Sequence, residues 1–284
     1  MAPSLQEAWQ AFLNERRISL SPSSITTDYA QVTKWLGRCP IKDLSEGRQV
    51  LIWALNQKPI KSARRVCMFV RCMYKWAAAE DVALIARNPV ANFKMPKAPQ
   101  NNHEITVITK EEMTLIMIAL ESKAHHRSVN WASFAEFMLQ TGMRTGEVRA
   151  ARWTDIDEKR ILVHGNYTLS HGYKNSTKTN KKRWVPLNSK ALAVLDSMGK
   201  TSEFIFPWNR YAFQTYFRLK VDQLHSAGLV KYKYRPYDLR HVAISRWLEA
   251  GIPVTQAAQW AGNTSEVIWQ HYAATTQDYD MPVL

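Results

Sequence analysis

Residues 94–104, KMPKAPQNNHE, hold prolines, lysines and amides and almost nothing apolar. Such a stretch cannot contribute to a core and reads as a linker. It divides the 284-residue chain into two parts, each of which has to bury a core of its own. The expected organisation is a helical domain over 1–93, a linker over 94–104 and a second domain over 105–284.

Helical periodicity dominates both parts. Leu5, Trp9, Phe12 and Leu13 recur at i, i+4, i+7 and i+8, with Ser4 and Glu7 placed for a capping box. Ser21-Pro22-Ser23-Ser24 opens a second helix, with Ile25, Tyr29, Val32 and Leu36 inward and Gly37 at its end. A short helix is expected over 45–56. A longer one runs from Pro59 through Ala79, with Val66, Phe69, Val70, Met73, Tyr74 and Trp76 as core candidates. Asn88-Pro89-Val90 closes this region. After the linker, Thr109 caps a helix with Glu111 and Glu112 in its first turn. Helices follow over 130–141, from about Thr145, and over 188–198, 208–226, 238–250, 253–261 and 264–273. Between them, Ile161-Leu162-Val163 and Arg183-Trp184-Val185 read as strands flanking the polar, turn-rich GYKNSTKTNKK. The fold class is therefore mainly α with a small antiparallel sheet and a lysine-rich hairpin.

Charge narrows the partners. Lys and Arg number 38 against 24 Asp and Glu, a formal +14. A chain this basic attracts polyanions. No apolar run approaches the roughly 18 residues a spanning helix needs, and MAPSLQEAWQ lacks the basic-then-apolar order of a secretory signal. A cytoplasmic setting is expected, and nucleic acid is the favoured polyanion. The three cysteines, Cys39, Cys67 and Cys72, lack zinc-site spacing and read as buried free thiols. Three basic clusters are candidate phosphate contacts. Lys61, Arg64, Arg65, Arg71 and Lys75 stripe one helix. Lys181, Lys182 and Arg183 follow the hairpin. Lys231, Lys233 and Arg235 alternate with Tyr232, Tyr234 and Tyr237. The alternative for each is a solvated face, and phosphate contact is the favoured reading.

One constellation suggests chemistry. Arg144 lies in TGMRTGEVRAARW, Lys178 in TKTNKKRWVPL, Arg240 in YDLRH and Tyr272 in WQHY. Two arginines can fork onto the non-bridging oxygens of a phosphodiester. A tyrosine can attack the phosphorus, and a lysine on a hairpin can protonate the leaving 5′-oxygen. The tyrosyl phosphoester keeps the bond energy, so neither cofactor nor metal is expected. Taken singly, each residue has an ordinary structural reading: a salt bridge, a solvated loop, a core tyrosine. The four in this order, each in its own local frame, are harder to explain that way.

The chain resembles the tyrosine recombinases of the phage integrase family. The matching pieces are TGMRTGEVRAARWTDID at 141–157, TKTNKKRWVPLN at 177–188, DLRH at 238–241, and the run from Ala261-Gly262-Asn263 to Trp269-Gln270-His271-Tyr272-Ala273. Asn88-Pro89 resembles the family's inter-domain junction, and the N-terminal helices its core-binding domain, a SAM-like fold. The resemblance implies a catalytic domain in which Arg144 and Arg240 are the catalytic arginines, Lys178 the general acid and Tyr272 the nucleophile. Glu147 would be a supporting ion-pair partner. It also implies duplex DNA with core-type sites as partner, a homotetramer on that DNA, and integration or excision of a mobile element, with accessory bending or directionality factors as further partners. The helices begin near residue 4, so no arm-binding domain is expected.

Two positions depart from the family pattern. Tyr237 stands where a His-x-x-Arg box has its histidine, and Asn263 where histidine or tryptophan is usual. An imidazole with a pKa of about 6.5 accepts a proton at neutral pH; a phenol with a pKa of about 10 does so poorly. A slower but active enzyme is expected, with Tyr237 and Asn263 still in the site and Asn263 donating its amide to a phosphate oxygen. A helical step of about 100° is expected to turn His241 away from its neighbour Arg240 and His271 away from its neighbour Tyr272, so both histidines read as structural. Two other readings stand: a type IB topoisomerase-like enzyme, and a catalytically weak or inactive relative that only binds DNA.

Overall fold

A computed structural model of the chain describes residues 3–57, 59–96, 108–121, 129–177, 181–208 and 213–272. The chain divides into two compact units, Met1–Gln100 and Asn101–Leu284.

The first unit is helical. Helix α1 (Leu5–Arg16) starts on the reciprocal capping box of Ser4 and Glu7. A short helix α2 (Pro22–Ser24) passes through a π-turn (Ile25–Tyr29) into α3 (Ala30–Arg38). Helices α4 (Gly47–Leu55) and α5 (Ile60–Ala77) follow. Their apolar faces meet around Trp9, whose ring stacks on Tyr29 at 5.8 Å while its indole N–H donates to Thr33. Helix α5 buries Val66, Cys67, Val70, Met73 and Tyr74 and turns Lys61, Arg65 and Lys75 to solvent. Cys39 and Cys67 are buried, but Cys72 is exposed, contrary to the expectation for all three. It lies on the same outward side of α5 as Met68 and Lys75.

The second unit opens with α6 (Lys110–Glu121), capped by Thr109 and Glu112. Then come α7 (Trp131–Thr141) and α8 (Thr145–Ala150). Strands β1 (Ile156–Asp157) and β2 (Arg160–Val163) precede a hairpin of β3 (Asn166–Thr168) and β4 (Gly172–Lys174). Strand β5 (Arg183–Pro186) pairs antiparallel with β2 and completes the three-stranded sheet β1-β2-β5. Helices α9 (Ser189–Ser197), α10 (Phe213–Ser226), α11 (Pro236–Glu249), α12 (Val254–Ala261) and α13 (Ser265–Tyr272) complete the described unit. The mainly helical class with small antiparallel sheets is as expected. The β3-β4 hairpin is a second sheet that the turn-rich sequence concealed.

The core of this unit is aromatic. Phe134 lies between Phe206 and Phe213, at 5.2 and 4.6 Å, and Trp131 meets Trp208 edge-on at 5.6 Å. Rings at these spacings contribute beyond the area they bury. Helix α7 is thereby fixed against its neighbours, and its C-terminus is one wall of the site below. Among the described residues no helix is long and apolar enough to cross a membrane.

Candidate active site

Two left-handed glycines set the frame. Gly142 ends α7 with φ 59° and Gly262 ends α12 with φ 64°. Both positions favour glycine, and a Cβ on Gly142 would come within 2.5 Å of the Trp247 ring. Each glycine turns its carbonyl to an arginine. The Gly142 oxygen accepts from Arg240 at 2.6 Å, and the Gly262 oxygen accepts from Arg144 at 3.0 Å.

Arg144 is the N-cap residue of α8, and its backbone N–H donates to Glu147 at 2.8 Å. Its guanidinium donates to Glu147 Oε1 and, through the other nitrogen, to Asn263 Oδ1 at 3.0 Å. Arg240, on the second turn of α11, is fully buried. It donates to the Gly142 and Ala261 carbonyls at 2.6 Å each and to Asn263 Oδ1 at 3.3 Å. Its Nε is buried without a hydrogen-bond partner. Burial, followed by the charge of Arg144, pushes its pKa down to about 10, which leaves it protonated at neutral pH.

The two guanidiniums thus converge on one oxygen atom. Asn263 presents the carbonyl end of its side chain to them. Two cationic donors facing one side chain demand an acceptor.

Glu147 anchors the cluster. It is 2% exposed and receives Arg183 at both oxygens, at 3.0 and 2.7 Å, in addition to Arg144. Burial alone would raise its pKa. The hydrogen bonds and charge of Arg183, then of Arg144, outweigh this and hold the carboxyl below the usual range. Arg183 also donates to the Trp260 carbonyl at 2.7 Å and is 7% exposed. It is therefore not part of a phosphate-tracking surface with Lys181 and Lys182, which are exposed. Its alternation with Val185 on β5 places it on the inner face, and that period-two signal was present in the sequence.

Tyr272 closes α13 and is 4% exposed. Its hydroxyl meets His241 Nδ1 at 2.5 Å, and the two rings lie 5.7 Å apart. This contact of His241 with the tyrosine is not anticipated from the sequence, where the histidine reads as structural. The helical step separates it from Arg240 on α11, but that same step aims it at α13. His271 is exposed. Tyr237 is 40% exposed, stands edge-on to His241 at 5.0 Å, and has the Arg240 guanidinium 5.9 Å from its ring centre. Burial raises the phenol pKa of Tyr272, with Arg240 opposing, and pushes His241 down to about 4.

Lys178 lies outside the described residues, as do the remainder of the linker from 97 and the segment from 273. At the base of the hairpin, Thr177 donates its hydroxyl to the Lys181 carbonyl at 3.0 Å. Lys231, Lys233 and Arg235 are exposed, while Tyr234 between them is buried and donates to Glu112 at 2.7 Å. Lys233 pairs with Asp222 at 3.5 Å and Arg235 with Asp238 at 3.3 Å, both at largely exposed lysine or arginine heads. In the first unit, Arg64, Arg65, Arg71 and Lys75 line a groove of about 710 Å³ with Met68 and Cys72. Arg65 pairs there with Asp28, and Arg64 donates to the Pro96 carbonyl.

A family model described as the phage integrase family matches residues 106–278. The tyrosine recombinase XerC of Xanthomonas campestris pv. campestris (strain B100) is 27% identical over 227 residues, 77% of this chain and 63% of that protein. The shufflon-specific DNA recombinase of Escherichia coli is 29% identical over 189 residues, 65% of this chain and 44% of that protein. The chain thus spans less than two thirds of the length of these relatives. In fold, it is similar to the Tn1549 transposon integrase in complex with circular intermediate DNA. That TM-score is 0.75 at 12% identity, covering 98% of this chain and 96% of the other. A lambda integrase tetramer bound to a Holliday junction gives 0.68 at 20% identity, covering 93% and 78%.

Proposed function

The chain belongs to the phage integrase family, the tyrosine recombinases, enzymes that cleave and rejoin DNA, and from that premise we propose that it is a site-specific DNA recombinase acting through a 3′-phosphotyrosyl intermediate. The observation that carries the reading is the convergence of Arg144 and Arg240 on the single oxygen of Asn263. An atom held by both forks marks where a non-bridging phosphate oxygen would be held, and transition-state charge would develop there. The unspent Nε of Arg240 adds a donor. Asn263 then yields its place to the phosphate and donates its amide from the side.

In this reading Tyr272 attacks the phosphorus and Lys178 protonates the 5′-oxygen that leaves. Glu147 fixes Arg144 by a pair too buried to be screened. The exposed bases Lys61, Arg65, Lys75, Lys181, Lys182, Lys231 and Lys233, with Arg64, Arg71 and Arg235, track phosphates of the duplex. Residues 1–93 serve as the core-binding domain and 105–284 as the catalytic domain, joined by the linker. The exchange proceeds in a tetramer on DNA and integrates or excises a mobile element in the cytoplasm, accessory factors setting direction.

The test is strand exchange. A core site would be selected from a randomised duplex pool by binding, then placed twice on one plasmid. Deletion or inversion between the copies, lost in Tyr272→Phe, is the expected result. Relaxation of plasmids without exchange would favour the topoisomerase-like reading. Tight site binding with neither would favour the DNA-binding reading.

A further inference from the structure

We propose that His241 is the catalytic group that takes the Tyr272 hydroxyl proton during strand cleavage, a task left open by the tyrosine at position 237. The inference rests on the recombinase reading above and names a participant in that chemistry.

The geometry is direct. His241 Nδ1 lies 2.5 Å from the Tyr272 hydroxyl oxygen, the atom that attacks phosphorus. In this proposal the hydroxyl donates to the Nδ1 lone pair and Nε2 carries the ring proton. The neighbour in sequence, Arg240, belongs to the fork on the phosphate oxygen. Two adjacent residues of α11 therefore address the two sides of one reaction: one the electrophile, the other the nucleophile. Tyr237, one turn earlier, packs its ring edge-on against His241 at 5.0 Å.

The electrostatics keep the pair in its reactant form. Burial, with Arg240, Arg235 and His271 acting the same way and Asp238 opposing, disfavours the imidazolium. Burial likewise disfavours the phenolate. The hydroxyl thus keeps its proton, and Nδ1 stays unprotonated, until the oxygen begins to bond to phosphorus. The hydroxyl oxygen then becomes acidic and its proton passes to Nδ1. The Tyr272 O–P bond forms, the P–O5′ bond breaks, and the 5′-oxygen takes a proton from the Lys178 ammonium. Rejoining runs the same transfers backward, with His241 returning the proton to the tyrosine. The incoming phosphate and Asp238 offset the charge on the imidazolium while it lasts.

The test uses the full chain and a nicked duplex, selected from a randomised pool by covalent capture with the native chain. His241→Asn keeps a hydrogen-bond acceptor near Nδ1 but no basic nitrogen; His241→Ala removes both. Both variants are expected to bind the duplex as the native chain does and to form the covalent complex at least about 10²-fold more slowly. Replacing Tyr272 by difluorotyrosine, a more acidic phenol, should restore most of the rate in His241→Asn. A 5′-bridging phosphorothiolate, whose leaving group needs no proton, should not. A purely structural role for His241 predicts no selective rescue by the acidic phenol. The inference is overturned if His241→Asn cleaves at the native rate, or if both phenols are slowed equally. If the native chain forms no covalent complex with any duplex in the pool, the recombinase reading fails and this inference with it.

Discussion

Arg183 and Glu147 are joined by two hydrogen bonds, with the carboxylate 2% and the guanidinium 6% exposed. The same carboxylate holds Arg144, so one buried acid organises two cations at the site. Removing one partner of a buried pair leaves the others uncompensated and typically costs about 3–5 kcal/mol. Glu147→Ala is expected to lose roughly that amount in urea unfolding and to abolish cleavage. Retention of native stability would contradict this role.

The same acid makes a pH prediction. Its folded pKa is lowered, so its contribution to stability is fully present above the ordinary carboxylate range and is lost as pH falls through the depressed value. The melting temperature should fall as pH is taken from about 6 toward 3. In Glu147→Gln that dependence should be weaker, although the variant starts lower. Equal slopes in the two proteins would count against it.

Asn263 supplies one acceptor to two arginines. A carboxylate at that point would pair with both and compete with phosphate. Asn263→Asp is therefore expected to raise the melting temperature while slowing covalent-complex formation by more than about tenfold. Unchanged cleavage with raised stability would show that the two forks do not receive the phosphate there.

Gly142 combines a positive φ with a Trp247 ring standing where a Cβ would go. Gly142→Ala adds a methyl where Trp247 already stands, and the backbone strain is typically about 1–3 kcal/mol. Because the Gly142 carbonyl holds Arg240, the loss in cleavage should exceed that explained by unfolding alone. Stability and trapping rate measured at a temperature where both proteins are folded check this.

Tyr237→His would restore a histidine to the box. With His241 already bonded to the nucleophile, the gain in cleavage is expected to be small in the native chain and large in His241→Ala. A double-mutant cycle reads this coupling directly. An equal gain in both backgrounds would mean that the two positions act independently.

Much of this was legible because the signals are local. Ser4 with Glu7, Thr109 with Glu112, and the apolar period of α5 declare helices within a few residues of chain. The arginines at 144 and 240 stood out by their frames. What stayed hidden is non-local or hidden by composition. His241 owes its place to Tyr272, thirty-one residues on. Arg183 ends a basic run, Lys181-Lys182-Arg183, and composition made it look solvated although strand alternation turns it inward. Strands β3 and β4 span three residues each around a left-handed Gly172, too short for a pattern to assert itself.

The most direct measurement is the chemical identity of the covalent link. The native chain would be trapped on a nicked, end-labelled duplex from the selected pool, digested with protease, and the nucleotide-bearing peptide located by mass spectrometry. The account predicts a 3′-phosphate esterified to the Tyr272 oxygen and a free 5′-hydroxyl on the released strand. Nucleotide on any other residue, attachment through a 5′-phosphate, or a covalent complex that survives in Tyr272→Phe would contradict it.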